Sequence, residues 1–160
     1  MLEPVQLRGK ICPKPMLAVG ECTHRQPDFF KFLYATVGQG YCWRERLAWS
    51  DSQWSEHVAN ENMRTWVAYQ QKSIAGYFEL TRQDGDVEIK YFGLTSDFIG
   101  KGYGGYMLTE AIQKAWDWGA KRVWGHTCTL DHKDALSNYL ARGMKIYKMV
   151  TIEDEYESES

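Results

Sequence analysis

The stretch FIGKGYGGYMLTEAIQKAW, residues 98–116, puts Gly100, Gly102, Gly104 and Gly105 close together and then runs directly into an amphipathic helical pattern. Glycine loses more backbone freedom on folding than any other residue, so such a run implies that something approaches the chain closely there. Tyr106, Met107, Ile112, Ala115 and Trp116 recur at spacings suited to burial, and Gly119 closes the pattern. The first N–H groups of a helix have no carbonyl partner within it, and the helix dipole makes that end positive. A mouth of this kind, clear of side chains, can hold a diphosphate, with Lys101 adding charge from the rim. The competing reading is a loop whose glycines only permit a tight entry and close helix packing.

Two other phosphate-binding patterns fit poorly. A nucleotide-hydrolase loop requires Lys followed by Ser or Thr after its glycines, and no such pair follows Gly104 or Gly105. A dinucleotide fingerprint belongs in an early strand, turn and helix unit with an acid on the next strand. Here the run follows TWVAYQ and IAGYFEL, joined by a QKS turn, and then VEIKYFGL, reached through TRQDGD. Those short links predict successive antiparallel strands.

Alternation in VEIKYFGL predicts Glu88, Lys90 and Phe92 on one face and Val87, Ile89 and Tyr91 on the other. Glu88 is then a carboxylate beside an aromatic and close to the phosphate mouth, a candidate general base. Pairing with Lys90 or a neighbouring strand is the alternative. Glu79, in IAGYFEL, is the competing acid. Gly93 lets backbone approach a ligand, or accommodates a bulge. Free N–H and C=O groups from Phe92 through Gly93 to Leu94 can receive an extended amide-containing molecule as an added strand, or aim an N–H at a developing oxyanion.

Downstream, RVWGHTCTL reads as a strand with Trp124, His126 and Cys128 on one side. Their spacing matches no zinc signature, so no metal is expected. His126 reads as a pocket-lining proton relay or secondary base, or as a hydrogen-bonded, semi-buried histidine. DHKDALSNYLARG reads as a helix with Asp131 as N-cap and Asp134 completing a capping-box arrangement. Tyr139, on one face with Ala135, can hand a proton to a leaving group or simply pack, while Asn138 reads as solvated. MKIYKMVTI supplies a last strand before an acidic tail over 153–160.

Upstream, residues 1–15 read as an extended arm, Met16 to Thr23 as a first strand, and Pro27 opens a helix stopped by Gly38 and Gly40. An aromatic segment with Tyr41, Trp43, Trp49 and Trp54 leads into a short helix from Ser52 towards Val58. At least two of these tryptophans are assigned to the core. Beside Glu45, Glu56 or Glu61, such aromatics can also bind a cationic amine.

The chain of 160 residues fits a single domain, 1–160, with a mixed, largely antiparallel sheet and helices for both faces. Nineteen Lys and Arg against 21 Asp and Glu, without a long basic block, exclude nucleic acid as a general partner. No apolar run is long enough for a membrane span. Four cysteines without a close pair, and no apolar leader, set a reduced cytoplasmic compartment as the expectation.

The glycine run and its helix, the VEIKYFGL strand and the DHKDALSNYLARGM block together resemble the GCN5-related N-acetyltransferase (GNAT) superfamily, most strongly from Glu79 to Met144. The resemblance implies a GNAT-like acyltransferase fold that binds acetyl-coenzyme A as acyl-donor cosubstrate. Gly100 to Gly105, with Lys101, Tyr103 and Ile99, would cradle its pyrophosphate, and its pantetheine would run beside Phe92, Gly93 and Leu94. Acetyl would pass directly to an amine, a small molecule or a protein lysine or N-terminus. The resemblance further implies Glu88 as general base, Tyr139 as the acid for the departing thiolate, and a backbone N–H near Phe92 as carbonyl polariser. Glu79 and His126 remain alternative proton acceptors, a noncatalytic acyl-coenzyme A sensor remains the alternative function, and a homodimer is left open. Three departures stand out: Ile99 where the family carries Gln or Arg, His132 for a common Asn in a Leu130-Asp131-His132 variant, and Met144 for a usual Phe.

Overall fold

The computed structural model describes residues 1–41, 43–126 and 134–147. Among them a five-stranded sheet runs in the spatial order β1 (Ala18–Glu21), β2 (Met63–Gln70), β3 (Ser73–Gln83), β4 (Asp86–Leu94) and β5 (Arg122–Gly125). The first four strands pair antiparallel, and β5 lies parallel to β4. The β3–β4 hairpin turns at Asp84 and Gly85, both with positive φ, as an Asp-Gly two-residue turn requires.

Helices cover both faces. On one lie α1 (Pro27–Gly38) and α2 (Asp51–Val58), on the other α3 (Tyr103–Asp117), with α4 (Ala135–Ala141) packed on α3. Pro27 opens α1, whose Phe30, Leu33, Tyr34 and Val37 form its buried stripe. Ser50 caps α2 by accepting from the Gln53 N–H, while the Gln53 side chain returns to the Ser50 N–H. The start of this helix therefore lies just before the predicted Ser52. Met107, Leu108, Ala111, Ile112 and Ala115 bury α3 against Phe78, Leu80, Val87 and Ile89.

β4 departs from simple alternation. Its partners run Leu80↔Ile89 and then Glu79↔Tyr91, so Lys90 is an extra residue bulged out of the ladder. Val87 and Ile89 face α3 as expected, but the bulge turns Tyr91 into the α1–α2 core and leaves Phe92 packed against the α3 core. Glu88 thus shares its face with Tyr91 and not with Phe92.

The aromatic segment is core. Trp54 is buried, and Trp43 and Trp49 pack partly buried against the same cluster. The N-terminal arm is docked along the molecule, with one 3-10 turn at Pro4–Gln6. Residues Met144–Tyr147 carry no strand, and the remainder of the expected last strand lies outside the described residues.

Candidate active site

β4 and β5 pair only from Asp86↔Arg122 to Ile89↔Gly125. Beyond Ile89, β4 continues to Leu94, and among the described residues its ladder partners there lie on β3 alone; the β4 edge next to the end of β5 is called the notch below. Thr95 N–H donates to Ala75 O, towards β3. Strand periodicity then directs the Leu94 and Phe92 N–H groups towards the notch. The Leu94 N–H donates to the Tyr41 hydroxyl at 3.0 Å. Gly93 makes room for that arrangement, since a Cβ there would lie 2.6 Å from Tyr41 Cε2 and 2.8 Å from Val37 Cγ1. Its missing side chain is filled by the protein's own ring, a use the sequence reading did not separate from ligand approach.

The β4–α3 loop leads from this notch to the mouth of α3. Gly102 occupies the N-cap with φ of 86°, and Gly100 has φ of 80°, conformations that L side chains rarely adopt. Lys101 is exposed at the rim, with Nζ 5.9 Å from the centre of the Phe98 ring. Ile99 packs partly buried on the core. The Tyr103 ring is buried, its hydroxyl donating to Pro15 O at 2.6 Å and accepting from Gln70 Nε2 at 2.9 Å, so only its backbone is free to serve a ligand. Asn138 corrects the sequence reading: partly buried, it donates from Nδ2 to Gly104 O at 2.9 Å and ties α4 to the first turn of α3. The GGY beginning of α3 carried no signal for that partner.

On the α1–α2 face of the sheet two carboxylates stand on adjacent strands, Glu79 on β3 and Glu88 on β4. Glu79 is buried and accepts from Arg46 Nη1 at 2.7 Å and Nη2 at 2.9 Å, with His57 Nε2 at 2.8 Å. The guanidinium lies over the rings of Tyr91 at 4.4 Å and Trp49 at 4.7 Å. Burial alone would raise the Glu79 pKa, but the hydrogen bonds and charges of His57 and Arg46 outweigh it and hold it at about 2. Glu79 is thereby an anchored anion and a weak proton acceptor. Arg46 and His57 as its partners were missed, because both lie far from it in the chain.

Glu88 has the opposite environment. Half-buried on β4, it is pushed above the ordinary carboxylate range by burial, opposed by the charges of Lys90 and His126 and reinforced by Glu79. The register pairs Glu88 with Trp124, and His126, just past the end of β5, lies near enough for its charge to act on Glu88. His126 itself is exposed. Tyr139 approaches from the other face: a Cβ on Gly125 would lie 3.1 Å from its Cε1 and 3.4 Å from its hydroxyl. Gly125, unremarked in the sequence, is what lets α4 bring this ring against the end of β5. Cys128, Asp131 and His132 lie outside the described residues, and with them the Leu130-Asp131-His132 variant; α4 starts at Ala135 with Asp134 at its N-cap and no side-chain cap hydrogen bond, in place of the expected Asp131 cap.

Among the described residues no group of three or more His, Cys, Asp or Glu side chains is arranged to hold a metal ion, and no helix is long and apolar enough to cross a membrane. The sequence profile of the acetyltransferase (GNAT) family matches residues 24–144, which span the notch, the glycine mouth and α4.

The chain belongs to the GNAT acetyltransferase family. Solved structures agree in fold. An aminoglycoside acetyltransferase from an uncultured soil metagenomic sample, in complex with trehalose, superposes with a TM-score of 0.70 at 14% identity over 86% of this chain and 94% of the other. The PaiA N-acetyltransferase of Thermoplasma acidophilum, in complex with coenzyme A, gives 0.65 at 14% identity over 84% and 92%. A transcriptional regulator from Bacillus halodurans C-125 gives 0.63 at 19% identity over 84% and 97%. No curated protein sequence matches the chain. Membership makes an acyltransferase activity that uses an acyl-coenzyme A donor the general expectation for this GNAT domain.

Proposed function

We propose that this GNAT protein is an N-acetyltransferase that moves acetyl from acetyl-coenzyme A directly to a primary amine. The observation that carries the reading is the glycine mouth of α3, with Gly100 and Gly102 at positive φ, at the end of the loop that leaves β4 beyond the Ile89↔Gly125 pair. Glu88 and Tyr139 lie on opposite faces of the sheet beside the last β4–β5 pairs, which supports the reading.

The residues divide the work. The N–H groups from Gly100 to Gly105 receive the donor's diphosphate; the absence of side chains at Gly100 and Gly102 keeps the mouth clear, and at Gly105 it makes room for Lys10 and Arg142. The β4 edge at Phe92–Leu94 pairs with the amide-containing arm of the donor, which displaces the Tyr41 hydroxyl from the Leu94 N–H, and the Phe92 N–H polarises the thioester carbonyl. Glu88, with a raised pKa, accepts the proton that an ammonium acceptor must lose, with His126 near it as a relay. The amine nitrogen then bonds to the carbonyl carbon, the carbon–sulfur bond breaks, the leaving sulfur takes the Tyr139 hydroxyl proton, and the second proton lost by the nitrogen returns through solvent to the Tyr139 oxygen, leaving a neutral amide and a thiol. Glu79 serves as a fixed anion that orders Arg46 and the α1–α2 connection.

The acceptor is a cationic amine, either a small molecule or a protein lysine or N-terminus. The carboxylate of Glu45, which accepts from the Tyr91 hydroxyl at 3.1 Å on this face, supports that polarity. The Leu130-Asp131-His132 run is in keeping with a variant of the second family motif, and a cytoplasmic setting suits the reaction. A thiol-release assay with acetyl-coenzyme A across a panel of amines, with the acetylated product read by mass, tests the reading. Amine-dependent release supports it. Tight donor binding without release for any amine would instead favour a noncatalytic acyl-coenzyme A sensor.

A further inference from the structure

The N-terminal arm crosses the mouth of α3 and is fastened on both sides of it. Arg8 N–H donates to Arg142 O at 2.8 Å, and Lys10 N–H donates to Thr109 Oγ1 at 2.9 Å. Further along, Pro15 O accepts from the buried Tyr103 hydroxyl. Gly143, with φ of 101°, has no Cβ to obstruct Gln6 O, so the arm passes directly over the end of α4.

At this crossing two cations meet the first turn of α3. A Cβ on Gly105 would lie 2.5 Å from Lys10 Cδ and 2.7 Å from Arg142 Nη1. A Cβ on Gly102 would lie 3.5 Å from Lys10 Nζ. Among the described residues neither Lys10 nor Arg142 is in an ion pair, and Arg142 Nε and Nη1 are buried with no hydrogen-bond acceptor. Burying charged donors without an acceptor is costly, and the positive end of a helix beside them adds to the cost. An anion at this crossing reverses both contributions.

We propose that Lys10 and Arg142 form a cationic clamp on the phosphates of the acyl donor, so that the N-terminal arm is a working wall of the cofactor site. The proposal rests on the acetyl-coenzyme A reading above. The backbone amides of the mouth supply direction but no net charge, and the loop's own Lys101 sits at the rim. The clamp brings two full positive charges from elements far apart in sequence, and its arginine can meet a phosphate with two N–H groups at once.

Calorimetric titration of the full chain with coenzyme A, dephospho-coenzyme A and pantetheine tests this. Arg142→Gln is expected to weaken coenzyme A binding about tenfold, Lys10→Gln about threefold, and Arg142→Lys less than Arg142→Gln. Pantetheine, which has no phosphate, should bind all variants alike. The salt dependence of coenzyme A binding should flatten in both Gln variants. Loss of the Arg142 effect with dephospho-coenzyme A assigns the clamp to the ribose phosphate, and its persistence assigns it to the diphosphate. Because the arm is held by the Arg142 carbonyl and not its side chain, these variants are expected to keep wild-type melting temperatures. Wild-type affinity for coenzyme A in both Gln variants would overturn the clamp, as would an equal loss for pantetheine. A wild-type chain that binds no coenzyme A would instead overturn the acetyltransferase reading itself.

Discussion

On the α3 side of the sheet stand the backbone amides of the glycine mouth, two cations and the Tyr139 hydroxyl, whereas on the α1–α2 side stand carboxylates, tyrosines and one ion-paired arginine. The contrast is sharpest between Glu79 and Glu88, which stand on adjacent strands and point to the same face. Glu79 meets a bidentate Arg46 and His57 and is held ionised at about 2, while Glu88 has no such pair and is pushed up by burial. Partner geometry, not residue type or strand position, separates an anchored anion from the carboxyl proposed as the base. On the opposite side the proposed donor site is shaped by glycines whose side chains are absent.

Removing Glu79 should have the largest effect. Glu79→Ala leaves Arg46 buried and uncompensated, and about 3–5 kcal/mol of stability should be lost in urea denaturation. Glu88→Gln should change stability by less than about 1 kcal/mol. Equal losses would erase the distinction between the two acids. The pH dependence sharpens it further. Glu79 has a folded pKa below its ordinary 4.5, so its contribution is present above that value and is lost as pH falls towards about 2. Glu88, with a raised folded pKa, contributes in the reverse sense: its share is present in acid and is lost as pH rises through the folded value.

Activity should sort the same two residues the other way. Glu88→Gln is expected to lower kcat/KM about a hundredfold and to remove the acid limb of its pH profile, which in the wild type should lie above the usual carboxylate range. An unaltered limb in the variant would move the base to His126 or to solvent. Across the notch, Tyr139→Phe should lower kcat about tenfold while coenzyme A affinity stays within about twofold. Unchanged turnover would leave the ring against Gly125 with a packing role alone.

The same division governs what could be read from the sequence. The glycine mouth was legible because positive φ and close approach leave a mark in residue type itself, and the strands around it because their links are short. Lys90 shows why the rest was not. Nothing in VEIKYFGL marks one residue as extra, so alternation alone put Tyr91 on the wrong face and Phe92 beside Glu88. The anchoring of Glu79 was hidden because Arg46 and His57 reach it through tertiary packing of the α1–α2 connection. Asn138 looked solvated because its acceptor, Gly104 O, belongs to another helix. The arm's docking likewise depends on Gly143 meeting Gln6, a contact between the two ends of the chain.

Tyr41 is where the two faces touch, and it offers the smallest and most discriminating test. Its ring stacks on Trp43 at 5.2 Å with the α1–α2 aromatics, yet its hydroxyl accepts from the Leu94 N–H at the edge that the donor's amide arm is proposed to pair with. A ligand that takes this N–H must first displace the hydroxyl, exchanging one hydrogen bond for another with little net gain. Tyr41→Phe keeps the ring over Gly93 and leaves the amide without that acceptor, so coenzyme A should bind about threefold more tightly. The sign is opposite to that expected for Lys10→Gln and Arg142→Gln, although all three residues border the same ligand. Isothermal titration at one salt concentration reads both signs directly. Weaker binding by Tyr41→Phe would mean that the hydroxyl assists the donor, and the free strand edge would then begin at Phe92 and end before Leu94.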